Sequence, residues 1–208
     1  MVKEFCIISN NCWGAEVYKE FGLEYNTPFV GLFIPPLDFV KLCNDLPYYL
    51  AQPLQFIKRS RFSDYQNINY PLAVLSDVEI HFVHYKSEED AVSKWNRRRE
   101  RMPQNTGRYY IKGDDRELSD WTVYTEAWNK IPYKKIFFSK ANHSGVQNLV
   151  WLSEYSGKNA IPDGKALYKV SKNHISIENL LSDQPFWRPF IQKKFLTTVF
   201  MLTPRRFR

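Results

Sequence analysis

The residues best suited to chemistry in this chain are two carboxylates and a histidine at alternate positions. Asp77, Glu79 and His81 belong to the strictly alternating segment 77–85, so an extended strand would place their side chains on one face. Carboxylates two residues apart could hold Mg²⁺ or Mn²⁺ against a diphosphate, and a neighbouring carboxylate would raise the pKa of His81 to a range useful for acid–base work. Asp77, Glu79 and His81 are therefore candidate catalytic residues, with Asp77 and Glu79 also candidate metal ligands. The structural alternative is an exposed strand face.

A polar turn follows the first apolar segment and is the candidate binding site. Ligands of open α/β sheets lie outside the carboxyl ends of the strands, and helix N-terminal amides can bind phosphate. The turn would then bind an activated sugar or another carbohydrate. The predicted ligand-binding residues are Ser9, Asn10, Asn11, Trp13 and Gly14. The alternative is a turn that only caps the next helix.

Two later segments repeat parts of this pattern. A strand-like run ends at Ser139 and leads into a polar turn that closes at Gly145, with a helix expected from Val146. The acidic segment 114–116 also follows a strand-like run, and its composition favours a turn and helix entry over a metal site.

The chemistry-bearing segments need a framework of alternating strands and helices. Strands are expected near residues 4–9, 54–58, 70–85, 108–112 and 135–138, and helices near 16–21, 37–46, 87–102 and 119–129. This alternation predicts an α/β fold with a mostly parallel sheet and flanking helices. The chain would divide into two similar βα-type units, 1–104 and 105–208, or form one compact domain.

Composition narrows the function classes. Of the 208 residues, 44% are hydrophobic, which is enough to form a buried core. The net charge is +7. The basic runs 97–101 and 204–208 suit a helix face, phosphorylated ligands or anionic lipid, and the absence of a nucleic-acid-binding motif argues against nucleic acid as a partner. The three cysteines include no CxxC pair, and we find neither a membrane-spanning run nor a secretory signal. These features predict a cytoplasmic protein, which could also bind peripherally to the inner face of the membrane.

Three long segments also resemble a known bacterial family. They are Ile7-Ile8-Ser9-Asn10-Asn11-Cys12-Trp13-Gly14, Tyr25-Asn26-Thr27-Pro28-Phe29-Val30-Gly31-Leu32, and 77–85 together with Trp95-Asn96-Arg97-Arg98. The chain is similar, from Phe5 to about Glu154, to domain of unknown function 1919, whose members are often labelled exopolysaccharide or capsule biosynthesis proteins. The resemblance implies an α/β fold and a role in surface-polysaccharide assembly.

Three functional hypotheses follow. The first is a glycosyltransferase-like enzyme that uses a nucleotide sugar and a lipid-linked acceptor at the membrane surface, with or without a divalent metal. The second is a non-catalytic, carbohydrate-binding accessory protein of a polysaccharide assembly complex. The third is a sugar-modifying hydrolase or acyl or pyruvyl transferase that reacts through Cys12 or His81.

Overall fold

The secondary structure confirms the predicted α/β class. The computed structural model describes residues 4–187, and over this range seven strands and seven α-helices follow one another. The strands are β1 (Cys6–Ser9), β2 (Gln55–Phe56), β3 (Leu72–Leu75), β4 (Val78–His81), β5 (Tyr109–Asp114), β6 (Lys134–Ser139) and β7 (Leu149–Trp151). The helices are α1 (Trp13–Glu20), α2 (Pro36–Asn44), α3 (Leu46–Ala51), α4 (Glu88–Arg99), α5 (Trp121–Lys130), α6 (Gly164–Ser171) and α7 (Ile177–Leu181).

Two sheets organise these elements. Four strands form a parallel sheet in the order β1-β5-β6-β7, and three form an antiparallel sheet in the order β2-β3-β4. All strands of a parallel sheet point the same way, so the residues after β1, β5 and β6 share one edge. That edge carries the polar turn predicted as a binding site.

The parallel sheet is buried on both faces because alternate strand residues enter two different cores. Ile8 and Ile111 pack with α2, α4, α5 and the small sheet, whereas Ile7 and Tyr110 pack with α1, α6 and α7. Continuous apolar strands are typical of sheets covered on both sides. Both cores therefore hold the strand ends in fixed positions.

The alternating segment 77–85 is the main difference from the predicted strands. Its first residue, Asp77, forms a tight turn with Ser76, which has φ +57°, and β3 and β4 pair across that turn as a hairpin. Asp77 therefore lies in the turn and not on the strand face. The local signal for this turn was the pair of polar residues Ser76 and Asp77 between Leu75 and Val78.

Other boundaries also differ. Pro47, expected to end a helix, lies in the first turn of α3, where its missing N–H costs nothing. The helix expected from Val146 is wrong, since this segment leads into β7. The predicted division at residue 104 falls before β5, and β1 pairs with β5, so both segments build one sheet.

Helix starts agree better with the sequence. Ser87 caps α4 by accepting the Asp90 N–H at 3.2 Å, with three acidic residues in the first turn and three arginines in the last, as the helix dipole favours. No helix within residues 4–187 is long and apolar enough to cross a membrane. The basic tail 204–208 lies outside the described residues.

Candidate functional site

A large cavity opens beside the carboxyl ends of β1 and β5. We call it the strand-end cavity; its volume is about 650 Å³, within the range of roughly 300–1,000 Å³ that small-molecule sites occupy. It is lined by Asn11, the start of α1 (Cys12, Ala15, Glu16) with Lys19, Tyr25, residues 30–33 and 83–85, Lys94 and Arg98 of α4, Arg116 and Glu117, and residues 163–165 at the start of α6.

A buried ion pair lies behind Asn11, outside the cavity lining. Lys112 on β5 is 1% exposed, and its Nζ donates to the Asp114 carboxylate, to Asn10 Oδ1 at 3.2 Å and to Asn11 Oδ1 at 3.0 Å. Asn11 Nδ2 in turn donates to Asp114 Oδ2 at 2.7 Å. Burial lowers the pKa of Lys112, an effect that Asp114 opposes. This cluster fixes the side chain of Asn11 at the cavity wall.

The start of α1 and the start of α6 meet in the wall. A Cβ on Gly164 would lie 2.6 Å from Asn11 Oδ1, 2.7 Å from Trp13 N and 2.8 Å from Cys12 N, so the close approach of the two helices requires glycine. Asp163 caps α6 by accepting the Ala166 N–H at 2.9 Å, whereas Cys12 gives α1 no side-chain cap. Two helix N-termini, both with positive partial charge, thus border one space.

The cavity also carries an excess of positive side chains. Among its described lining residues, five are cationic and three acidic: Lys19, Lys94, Arg98, Arg116 and Lys165 against Glu16, Glu117 and Asp163. Arg98 is held by Tyr85, whose hydroxyl lies 2.7 Å from Nη1. One arginine of the basic run 97–101 therefore contributes to the cavity as well as to the end of α4.

Glu117 is the acidic group of the cavity with the most altered proton affinity. Its Oε1 lies 3.1 Å from Arg116 Nε. Partial burial and the nearby negative charge of Asp114 together raise the pKa of Glu117 to about 7. A carboxyl group with such a pKa in a cleft is a candidate for proton transfer.

Of the five predicted ligand-binding residues, the structure brings one to the cavity surface. Asn11 lines the cavity, while Ser9, Asn10, Trp13 and Gly14 are buried behind it. Trp13 packs against Phe138 and Tyr168. A Cβ on Gly14 already lies 2.9 Å from Ile7 Cγ2, so this glycine lets α1 pack on β1. These four residues shape the wall from behind.

Glu79, one of the predicted catalytic residues, is buried in the small sheet. Its carboxylate accepts the Ser60 hydroxyl and the Arg61 N–H, both at 2.7 Å, and its own N–H donates to Asp38 Oδ2 at 2.7 Å. These contacts attach the segment after β2 to β4. Glu79 does not line the strand-end cavity.

Asp77 and His81 lie on either side of Glu79 in the chain and have different surroundings. Asp77 is exposed and pairs with Lys41, and Tyr49 Oη donates to its Oδ1 at 2.9 Å. His81 is fully buried with Nε2 at 3.4 Å from Glu79 Oε2. Burial lowers the pKa of His81 and Glu79 opposes this, so the expected rise does not occur. The structure brings Glu79 and His81 together and places neither beside the cavity.

Within residues 4–187, neither the metal-ligating side chains nor the cysteines form a cluster. No group of three or more His, Cys, Asp and Glu side chains in this range could hold a metal ion. The three cysteines are unpaired; Cys6 and Cys43 are buried, and Cys12 faces the cavity. Burial and the negative charge of Asp163 raise the pKa of Cys12, which disfavours its nucleophilic thiolate.

Sequence reasoning missed the two ionisable residues that matter most at this edge. Lys112 interrupts an otherwise apolar strand with Asp114 two residues later; a buried lysine needs such a partner, and this spacing was the available signal. Glu117 had no local signal, because only the fold brings it to the cavity.

Comparisons with known proteins identify the family of this chain. An uncharacterized protein of Haemophilus influenzae (strain ATCC 51907 / DSM 11121 / KW20 / Rd) is 30% identical over 159 residues, which are 76% of this chain and 72% of that protein. The family described as "Domain of unknown function (DUF1919)" matches residues 1–181, and those residues include every element described above. Because that match covers most of the chain, this chain belongs to the DUF1919 family.

Proposed function

We propose that this protein binds a nucleotide sugar in the strand-end cavity and transfers the sugar during assembly of an exopolysaccharide or capsule. One observation carries the proposal: two helix N-termini and five cationic side chains border a single cavity at the strand ends. Helix N-termini attract phosphate, and the crevice outside the strand ends is where such sheets bind ligands. A diphosphate fits both features.

The rest of the lining suits the other parts of such a ligand. Tyr25 and Phe33 offer aromatic surfaces on which a base or sugar ring could stack. Glu16 and Asp163 have carboxylate oxygens that could accept from sugar hydroxyls. The net charge of +7 would favour a lipid-linked acceptor at an anionic membrane surface.

The hairpin residues Asp77, Glu79 and His81 would not contact the bound nucleotide sugar, because they lie outside the cavity lining. A divalent ion, Mg²⁺ or Mn²⁺, would then enter together with the diphosphate that it neutralises. Binding is therefore best measured with and without Mn²⁺.

Calorimetric titration with UDP-glucose, UDP-N-acetylglucosamine, GDP-mannose and dTDP-glucose tests the proposal. At least one should bind with micromolar to millimolar affinity, and binding should weaken at high salt. The variant Lys165→Ala removes a cation at the start of α6, and we expect its Kd to rise roughly three- to tenfold. Lys169→Ala, in the last turn of the same helix and outside the cavity, should leave Kd unchanged. No binding of any donor, with or without Mn²⁺, would contradict the proposal.

A carbohydrate-binding accessory role is the second candidate. The engagement of Glu79 and Asp77 in contacts within the protein favours it, since those carboxylates are occupied. Under this alternative the nucleotide sugar binds, but no nucleoside diphosphate is released when membranes carrying acceptor are added. Release of nucleoside diphosphate would decide for the transferase.

A further inference from the structure

We propose that Glu117 is the proton-carrying group of the strand-end cavity, and that it takes up a proton when the diphosphate of a nucleotide sugar binds there. This inference rests on the proposed function for the class of ligand. Glu117 was not among the candidate site residues predicted from the sequence. Its role would be measurable as a coupling between ligand binding and protonation.

The charges around Glu117 leave it poorly compensated. Asp114 precedes it by three residues at the end of β5, and the cation nearest to that aspartate, Lys112, is already bonded to Asp114 and to the side-chain oxygens of Asn10 and Asn11. The lysine is also fully buried. Its charge is therefore engaged by Asp114 and the two asparagines behind the cavity wall, and it lowers the proton affinity of Glu117 only as a lesser effect.

Arg116 compensates Glu117 in part. Its Nε lies 3.1 Å from Glu117 Oε1, while its Nη1 donates to the carbonyl of Ile161 at 2.5 Å. The guanidinium is thus tied to the loop before α6. A bound diphosphate that also interacts with the Arg116 guanidinium would weaken the attraction between that guanidinium and the Glu117 carboxylate.

Other ionisable groups face the same space from each neighbouring element. Tyr65 lies close enough for Glu117 and Arg116 to influence its own proton affinity. The remaining ionisable groups of the lining are Cys12 before α1, Glu16 and Lys19 on α1, Tyr25, His84 and Tyr85 in loops, Lys94 and Arg98 on α4, and Asp163 and Lys165 at the start of α6. Histidine is the residue type that most often titrates near neutral pH, so His84 is the group from which Glu117 must be distinguished.

The physical consequence is a coupled equilibrium. A bound diphosphate places negative charge in the cavity that holds the Glu117 carboxylate, and like charges favour the protonated carboxyl. Burial and Asp114 already raise the pKa of Glu117 to about 7, so proton uptake falls in an accessible pH range. If the diphosphate raises this pKa by about one further unit, about half a proton is taken up per ligand at pH 7.5. Affinity then falls by about fourfold between pH 7 and pH 8.5.

Calorimetry in buffers of different ionisation enthalpy measures this uptake directly. The probe is whichever of UDP-glucose, UDP-N-acetylglucosamine, GDP-mannose or dTDP-glucose binds most tightly; in these donors the diphosphate is esterified at both ends and does not itself titrate near pH 7. We expect the wild-type protein to take up about half a proton at pH 7.5. Glu117→Gln should take up none, and its affinity should be independent of pH between 6.5 and 8.5.

Two further variants complete the test. Glu178→Gln makes the same change at an exposed glutamate outside the cavity and should keep the wild-type uptake. His84→Gln should keep it as well, whatever its affinity. Uptake that persists in Glu117→Gln, or that disappears in His84→Gln, overturns the inference while leaving the proposed function standing. Absence of binding by the wild-type protein overturns both, and thermal melting confirms that each variant is folded.

Discussion

The β3–β4 hairpin and the strand-end cavity contain the same kinds of residue and use them in opposite ways. In the hairpin, the buried Glu79 carboxylate accepts two hydrogen bonds from the segment after β2. In the cavity, Glu117 has one guanidinium beside it and the negative Asp114 nearby. A carboxylate with matched donors stabilises the fold, whereas one without them keeps a reactive proton.

The difference arises because buried charge is tolerated only when its partners are supplied. At the hairpin the donors come from a chain segment that packs over β4. Behind the cavity wall, Lys112 satisfies Asp114 and the two asparagines, and this leaves Glu117 open to a ligand. Four predictions test whether the two regions are this different.

The largest effect is expected for Lys112→Met. This change leaves the Asp114 carboxylate, 1% exposed, without its cation, and removing one partner of a buried pair costs about 3–5 kcal/mol. Urea unfolding followed by circular dichroism measures the loss. The double variant Lys112→Met with Asp114→Asn should recover at least half of it, because no unpaired charge remains. A double variant as unstable as the single one would show that the pair has no structural role.

The second prediction compares two neighbouring carboxylates of the hairpin. Glu79→Ala should destabilise the protein by about 3 kcal/mol, since it leaves the Ser60 hydroxyl and the Arg61 N–H without an acceptor. Asp77→Ala removes an exposed ion pair and should cost less than about 1 kcal/mol. Equal losses of unfolding free energy would contradict the structural role of Glu79.

The third prediction concerns the contact between α1 and α6. Gly164→Ala places a methyl group against the backbone nitrogens of Cys12 and Trp13, and such overpacking costs about 1–3 kcal/mol, more than the gain in helix propensity. Nucleotide-sugar affinity should fall as well. Gly157→Ala is the matched control, because nothing lies within 4 Å of its added Cβ, and its melting temperature should stay within a few degrees. A Gly164→Ala variant with wild-type stability and wild-type affinity would show that close contact between α1 and α6 does not require glycine at this position.

The smallest effect is the pH dependence of stability that Glu117 contributes. Its pKa rises from 4.5 to about 7 on folding, so the folded protein binds more protons than the unfolded chain between these values. Stability due to this group is therefore greatest below pH 4.5 and is lost as pH rises to about 7. Glu117→Gln should match the wild-type protein at pH 4 and exceed its stability at pH 8 by on the order of 1 kcal/mol, discounted for partial exposure. Urea midpoints that differ equally at both pH values would contradict it.

Much of the fold could be predicted from local sequence. The first strand, the cap of α4 at Ser87 and the aromatic face of α5 follow from residue types and spacing, which act over a few residues. The β3–β4 turn was missed although the polar pair Ser76-Asp77 separates Leu75 from Val78, because the alternation that begins at Asp77 predicted a strand that includes this residue. The helix expected from Val146 failed because pairing with β6 takes 149–151 into the sheet.

For the site, the sequence by itself determined that a polar turn with Asn11 ends the first strand and that acidic residues follow β5. Only the tertiary structure decided which charged groups share a space. Parallel pairing brings the end of β5 beside the end of β1, and the packing of α6 on α1 brings Gly164 against that turn from more than 150 positions away in the chain. Proton affinity depends on burial and on neighbours in space. For this reason the spacing of Asp77, Glu79 and His81 suggested a shared catalytic face, whereas the structure places them in a hairpin outside the cavity, and the role of Glu117 emerged only from the fold.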